Sequence, residues 1–339
     1  TSNLPDVAVT PSEHFNTVLY TGDGTSGRDI VSGVDADMVW IKSRNHTYSN
    51  EIFDSVRGVT KRLMTNSTDA ESTKSGVTAF NTNGFELGSN SSENADTKTY
   101  VAWNWKANGS GSSNTNGSIN STVSANVDAG FSIVSYTGNA TSGATVGHGL
   151  SKAPEMIILK SRSAVTDWDV YVNPPTTFLR LNSNAAESTN SAIWNNTAPS
   201  ATVFTLGNNA DPNGNTETYI AYCFHSVDGY SKADGFYIGN ASTDGVFNYC
   251  GFSPKWIMIK RKNAVNNWYI YDTARTANNP TGTVLLADTN AAEATQTYFQ
   301  IDILSNGWKA RASDGAINTG GEYIYMAFAE TPFKYSNAR

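Results

Sequence analysis

The sequence predicts an all-β fold: three tandem, related β-sandwich modules of jelly-roll type, with few or no helices. Three observations carry this. Short apolar or alternating runs rich in Val, Ile, Tyr, Trp and Phe are bounded by Gly, Asn and Asp turns. No run of ten or more residues keeps a good helical apolar period. Finally, the same landmarks recur in one order three times along the chain.

Each module opens on a strand ending in Tyr and Gly: Leu19-Tyr20-Thr21-Gly22, Ser135-Tyr136-Thr137-Gly138 and Phe236-Tyr237-Ile238-Gly239. About twenty residues on comes an apolar strand with a basic end: Met38-Val39-Trp40-Ile41-Lys42, Met156-Ile157-Ile158-Leu159-Lys160 and Trp256-Ile257-Met258-Ile259-Lys260. A middle strand follows, around Glu51-Ile52-Phe53-Asp54, Trp168-Asp169-Val170-Tyr171 and Trp268-Tyr269-Ile270-Tyr271-Asp272. Next come Asp69-Ala70-Glu71, Ala185-Ala186-Glu187 and Ala291-Ala292-Glu293. An aromatic strand closes each module: Tyr100-Val101-Ala102-Trp103, Tyr219-Ile220-Ala221-Tyr222 and Tyr323-Ile324-Tyr325-Met326. Large side chains on both faces of that strand require burial on both sides. The lysines Lys42, Lys160 and Lys260 are spaced by 118 and 100 residues, and the tyrosines Tyr100, Tyr219 and Tyr323 by 119 and 104. The expected boundaries are 1–107, 130–229 and 230–339, with 108–129 a flexible Gly/Ser/Asn-rich linker. The first module is expected to be the loosest, and the second and third to be rigidly coupled.

Composition bounds the function. The 339 residues are 39% hydrophobic, enough to build cores, but only 16% charged against a typical ~25%. Ser, Thr, Asn and Gly fill the difference. A net charge of −7 argues against a nucleic-acid partner. No apolar run reaches the ~18 residues that a membrane-spanning helix needs, and Thr1–Thr10 reads as no secretory leader. Two cysteines, Cys223 and Cys250, are too few for a disulfide framework and read as small buried side chains.

Chemistry-bearing patterns are sparse. The four histidines, His14, His46, His148 and His225, fall at unrelated positions and form no metal-spaced pair. There is no nucleophile elbow and no phosphate-cradling loop. Asp54, Asp169 and Asp272 with Glu71, Glu187 and Glu293 read as equivalent structural carboxylates, paired with the basic strand ends, rather than as a catalytic pair. No catalytic residue is assigned and no cofactor is required. Ca²⁺ is a weak candidate at Asp23, Asp29, Asp35 and Asp37, which crowd one loop region. Glycan binding suits the Trp, Tyr and Asn content better. Its candidates are Trp194, which stands outside the shared landmarks, then Trp168 and Trp268, whose equivalent positions read more readily as core anchors, and Tyr271, with Tyr171 and Trp308 behind them.

Several segments resemble a module of tailed-phage virion proteins, common in phages of marine bacteria. They are Gly235-Phe236-Tyr237-Ile238-Gly239-Asn240, Gly251-Phe252-Ser253-Pro254-Lys255-Trp256 with Ile257-Met258-Ile259-Lys260-Arg261, Leu304-Ser305-Asn306-Gly307-Trp308-Lys309, and the closing run from Tyr323 to Arg339. Asn16-Thr17-Val18-Leu19-Tyr20-Thr21-Gly22 and Thr99-Tyr100-Val101-Ala102-Trp103 are similar to other copies. The resemblance implies a virion surface or appendage protein and transfers no active site. The expected function is a non-enzymatic fibre or adhesion segment that contacts host surface polysaccharide, with other virion proteins and a homotrimer of itself as partners. The alternatives are a capsid decoration or head-fibre protein, and a glycan-cleaving tail enzyme.

Overall fold

The computed structural model describes residues 9–332; Thr1 and residues 333–339 of the closing motif lie outside the described residues. Strands dominate, and no described helix is longer than four residues. Each third of the chain pairs its β-branched and aromatic runs into one large antiparallel sheet. In the first sheet the order is opening strand Phe15–Thr21, closing strand Thr99–Trp105, basic strand Met38–Ser43 and middle strand Glu51–Asp54, then Lys61–Met64 and Ser72–Thr73. The third sheet follows the same order with Ser231–Ile238, Glu322–Pro332, Phe252–Arg261, Trp268–Asp272, Thr283–Leu286 and Ala294–Thr295. The second has Phe131–Thr137, Thr218–Phe224, Met156–Ser161, Trp168–Tyr171, Thr177–Arg180 and Ser188–Thr189 in those places, and two further strands beyond its opening strand.

Those two extra strands come from the segment expected to be a flexible linker. Within 108–129, Ser112–Asn114 pairs with Ser121–Asn126, and the latter pairs with the opening strand Phe131–Thr137. A polar composition did not prevent this, because a sheet edge offers backbone donors and acceptors to any strand of suitable length. Ile119 and Val123 anchor the ribbon by burying themselves beside Val134 and Val146.

A smaller sheet covers one face of each large sheet. It consists of Arg28–Val31, Gly84–Leu87 and Val77–Asn81 in the first sandwich, and of Ala144–Gly147 and Val203–Leu206 in the second. In the third it consists of Phe247–Tyr249, Gly307–Ala310 and Ile301–Leu304. The recurring tyrosines stitch these layers together. Tyr20 stacks on Tyr100, Tyr136 on Tyr219 and Tyr237 on Tyr323, at 5.1, 5.1 and 4.8 Å between ring centroids. Their opening members donate to the carbonyls of Glu93, Pro212 and Ile317. Each following residue is a buried asparagine, Asn94, Asn213 or Asn318, whose side-chain oxygen takes a backbone N–H just after the opening strand. The glycine there is obligatory: a Cβ on Gly22 would lie 2.2 Å from the Ala95 oxygen, and one on Gly239 1.8 Å from that of Thr319.

Alternation along the closing strands divides the core in two. Tyr100 and Ala102 face the smaller sheet of the first sandwich, while Val101, Trp103 and Trp105 face the other way. That second face does not meet water. It joins a core shared by all three sandwiches, where Trp105 lies 5.7 Å from Trp256 and 5.6 Å from Phe328, and Phe224 lies 6.1 Å from Phe328. The first sandwich is therefore packed into this common core with the other two and is not the loosely held module expected. Cys223 is buried, Cys250 is half-buried, and both are free thiols.

Candidate functional site

The residues singled out for sugar stacking are all inside the protein. Trp194 is 2% exposed and packs edge-on against Tyr171 at 5.6 Å. Trp168, Trp268, Tyr271 and Trp308 are buried as well, and the Tyr271 hydroxyl donates to the Phe299 carbonyl. A ring with no free face cannot stack on a sugar, so these assignments are corrected: all are core residues. Trp194 lies outside the shared landmarks because it sits on a short helix, Ser191–Trp194, that plugs the second sandwich.

The acidic loop residues of the first sandwich do not converge on an ion. Asp23 accepts from Thr25 and pairs with Arg28, Asp29 accepts from Asn81, Asp35 takes the Asn83 N–H and the Lys106 ammonium, and Asp37 takes the N–H groups of Ala107 and Gly109. No cluster of three metal-ligating side chains forms among the described residues. Asp23 is consumed by its own loop, and the other three by residues that the fold brings to them from Asn81 to Gly109.

The repeated charges hold the sandwiches to one another, and they do so in a closed ring. Arg44 of the first sandwich grips Glu293 of the third through two bonds of 3.0 and 2.9 Å; Arg162 of the second grips Glu71 of the first at 3.0 and 3.0 Å; Lys262 of the third lies 3.2 Å from Glu187 of the second. The lysines follow the same cycle. The ammonium groups of Lys42, Lys160 and Lys260 donate across the joints to the carbonyls of Asn290, Thr68 and Asn184. So do the side-chain N–H groups of Asn50, Trp168 and Trp268, to Leu286, Met64 and Arg180, each at 2.9 Å. Burial among carbonyls, without a bonded carboxylate, pulls all three lysines down to about 8.

The strand register corrects one equivalence. Asp54 lies opposite Met38 and Asp272 opposite Trp256, but Asp169 lies opposite Leu159, where the first sandwich has Glu51 opposite Ile41. The position of Asp54 and Asp272 is held in the second sandwich by Val172. At the first joint Asp54 anchors the fully buried Arg57, which also reaches Glu71 and the Ile52 carbonyl. At the third-to-first joint Asp272 anchors Arg275, which reaches Glu293 and the Ile270 carbonyl. The neighbouring sandwich completes each set, through the Tyr222 hydroxyl on Asp54 and the Trp103 indole N–H on Asp272. The second sandwich has Val172-Asn173-Pro174-Pro175 instead, with no arginine.

At that one joint, between the second and third sandwiches, a cavity of about 680 Å³ opens. Val172, Met156, Tyr171 and Ile324 form its apolar floor. Glu155, Asp234, Glu322, Lys152 and Lys262 supply charge, and Phe236, 53% exposed on the edge strand Ser231–Ile238, stands at the mouth. Glu155 is oriented by the backbone N–H and hydroxyl of Ser226, and Asp234 by Lys232. Burial pushes the Tyr171 hydroxyl up to about 12, so it stays a neutral donor. The arrangement suits a polar, partly apolar ligand entering from solvent. Sequence reasoning passed over this site, although a signal existed: Asp54-Ser55-Val56-Arg57 and Asp272-Thr273-Ala274-Arg275 share a pattern that the second sandwich breaks.

No curated protein and no solved structure matches the chain. A family described as "Domain of unknown function (DUF7483)" matches residues 10–332, almost the whole chain. The cleft, the closed ring of joints and the three sandwiches all lie within that match, and the chain belongs to the DUF7483 family.

Proposed function

We propose that the protein is a non-enzymatic surface component of a tailed-phage virion, a fibre or adhesion segment that contacts host glycans. The phage assignment rests on the sequence resemblance; the contact rests on one observation, the cleft between the second and third sandwiches. There an exposed aromatic ring, Phe236, lines the same cleft as carboxylates and Asn173, the combination that lets a sugar stack one face and bond its hydroxyls. Single contacts of this kind are weak, and avidity from a homotrimer on the virion strengthens them. Because the ring of joints closes within one chain, such a trimer uses surface outside it, alongside docking to other virion proteins.

The test is retention of the purified protein on host cells and on their isolated surface polysaccharide. Phe236→Ala removes an exposed side chain and leaves the fold intact, and is expected to weaken retention about tenfold, the effect of losing one aromatic stacking contact of ~1.4 kcal/mol. Wild-type protein that is not retained, or retention indifferent to the substitution, overturns the glycan reading. Labelling the protein on intact particles places it at the tail or on the capsid.

A further inference from the structure

We infer that the cleft takes a ligand carrying a positively charged guanidinium or ammonium group, which takes the part that an arginine plays at the other two joints. The inference rests on the cleft being the ligand site, as proposed above, and names the chemistry it selects.

The other two joints show what that place looks like when filled. Glu71 is shared by two cations: Arg162 from the neighbouring sandwich, and Arg57 from its own at 3.2 Å. Glu293 is likewise shared by Arg44 and, at 3.2 Å, Arg275. The third glutamate of the set, Glu187, has one partner, Lys262, which also lines the cleft. Its Oε2 is buried and accepts no hydrogen bond, since Lys262 approaches within ion-pair distance but off the bonding direction. The resident arginines also donate to the carbonyls of Ile52 and Ile270. Val170 holds that register position in the second sandwich, opposite Ile158 as Ile52 is opposite Trp40 and Ile270 opposite Met258.

The open volume adjoins the place an arginine fills at the other joints: Val172, standing where its aspartate anchor would be, lines the cavity, and so does Lys262, behind which Glu187 lies. Charge agrees. Three carboxylates, Glu155, Asp234 and Glu322, line the cleft with Lys152 and Lys262; Asp234 is paired with Lys232 and Lys262 with Glu187, which leaves Glu155 and Glu322 facing Lys152. A cation entering from solvent finds its countercharge already in place in this cleft. On a glycan, the group that meets these requirements is the free amine of an unacetylated amino sugar.

Calorimetric titration of the whole chain at pH 7 and low salt tests this with matched probes. N-butylguanidinium is expected to bind at least tenfold more tightly than N-butylurea, its neutral isostere, and glucosamine at least tenfold more tightly than N-acetylglucosamine. Glu187→Gln is expected to erase the preference, and Val172→Asp with Pro175→Arg, which rebuilds the arginine, to abolish binding. Equal affinity for the charged and neutral members of each pair on the wild-type protein overturns the inference, whether or not the variants fold. Neutral saccharides binding as well as charged ones would leave the glycan reading standing alone. Butylguanidinium binding with no saccharide binding would remove the glycan reading and keep the cation site.

Discussion

At the scale of single residues, the buried charges decide where the protein is vulnerable. Arg275 neutralises Asp272 and Glu293, and both side chains of the Arg275–Asp272 pair are fully buried. Removing one member of a buried pair strands the other, so Arg275→Met is expected to cost about 3–5 kcal/mol in denaturant unfolding. The three joint lysines act in the opposite sense. Their folded value of about 8 lies below the ordinary 10.5, so between those values the unfolded chain binds more protons than the native one. Stability contributed by them therefore rises with pH across that window. Buried tyrosines such as Tyr136, Tyr222 and Tyr237, raised by desolvation, reverse the trend once unfolded tyrosines ionise above about 10. The melting temperature is expected to climb from pH 8 toward pH 10 and then fall. A flat or declining curve over pH 8–10 contradicts the burial of these lysines. Trp194 offers a third check. As a packed core ring its replacement by Ala is expected to destabilise by about 3–5 kcal/mol, whereas an exposed sugar-stacking ring would be removed at little cost.

At the scale of elements, the strands themselves were legible. Val-, Ile- and aromatic-rich runs at 38–42, 156–160 and 256–260 carry enough β-propensity and turn punctuation to announce themselves. The segment 108–129 was misread for a physical reason. Ser, Asn and Gly, which are poor strand formers, outnumber its few β-branched residues, and pairing with the free edge of Phe131–Thr137 makes Ser121–Asn126 a strand. Limited digestion with proteinase K separates the two descriptions. A flexible linker is cut first within 112–126, but the paired ribbon is expected to survive while exposed turns are cleaved. Deuterium exchange gives the same contrast, with slow amides expected over Ser121–Asn126. The cleft follows from the same element on the other side. The second sandwich has its opening strand covered by this ribbon, whereas the third leaves Ser231–Ile238 as an edge, with Phe236 and Ile238 exposed.

At the scale of the whole molecule, the outer faces of the three large sheets meet in one core, with Trp105, Trp256 and Phe328 at its centre. Cutting out one sandwich would expose that face to water and break two of the three joints. Calorimetry is thus expected to give a single cooperative transition, and an isolated 230–339 fragment to be unfolded or aggregated. Three separable transitions would mean independent beads on a string. Strand content and the recurring landmarks were legible from the amino acids alone, since each follows from alternation and turn chemistry over a few residues, whereas the tyrosine stacks join the opening and closing strands of each sandwich. Which face of each strand meets water was settled by packing between the sandwiches. Lys42 finds its carbonyl 248 residues away and Arg44 its glutamate 249 residues away. No local pattern announces such a partner, and so neither the burial of Trp194 nor the one joint left open could be read before the chain had closed on itself.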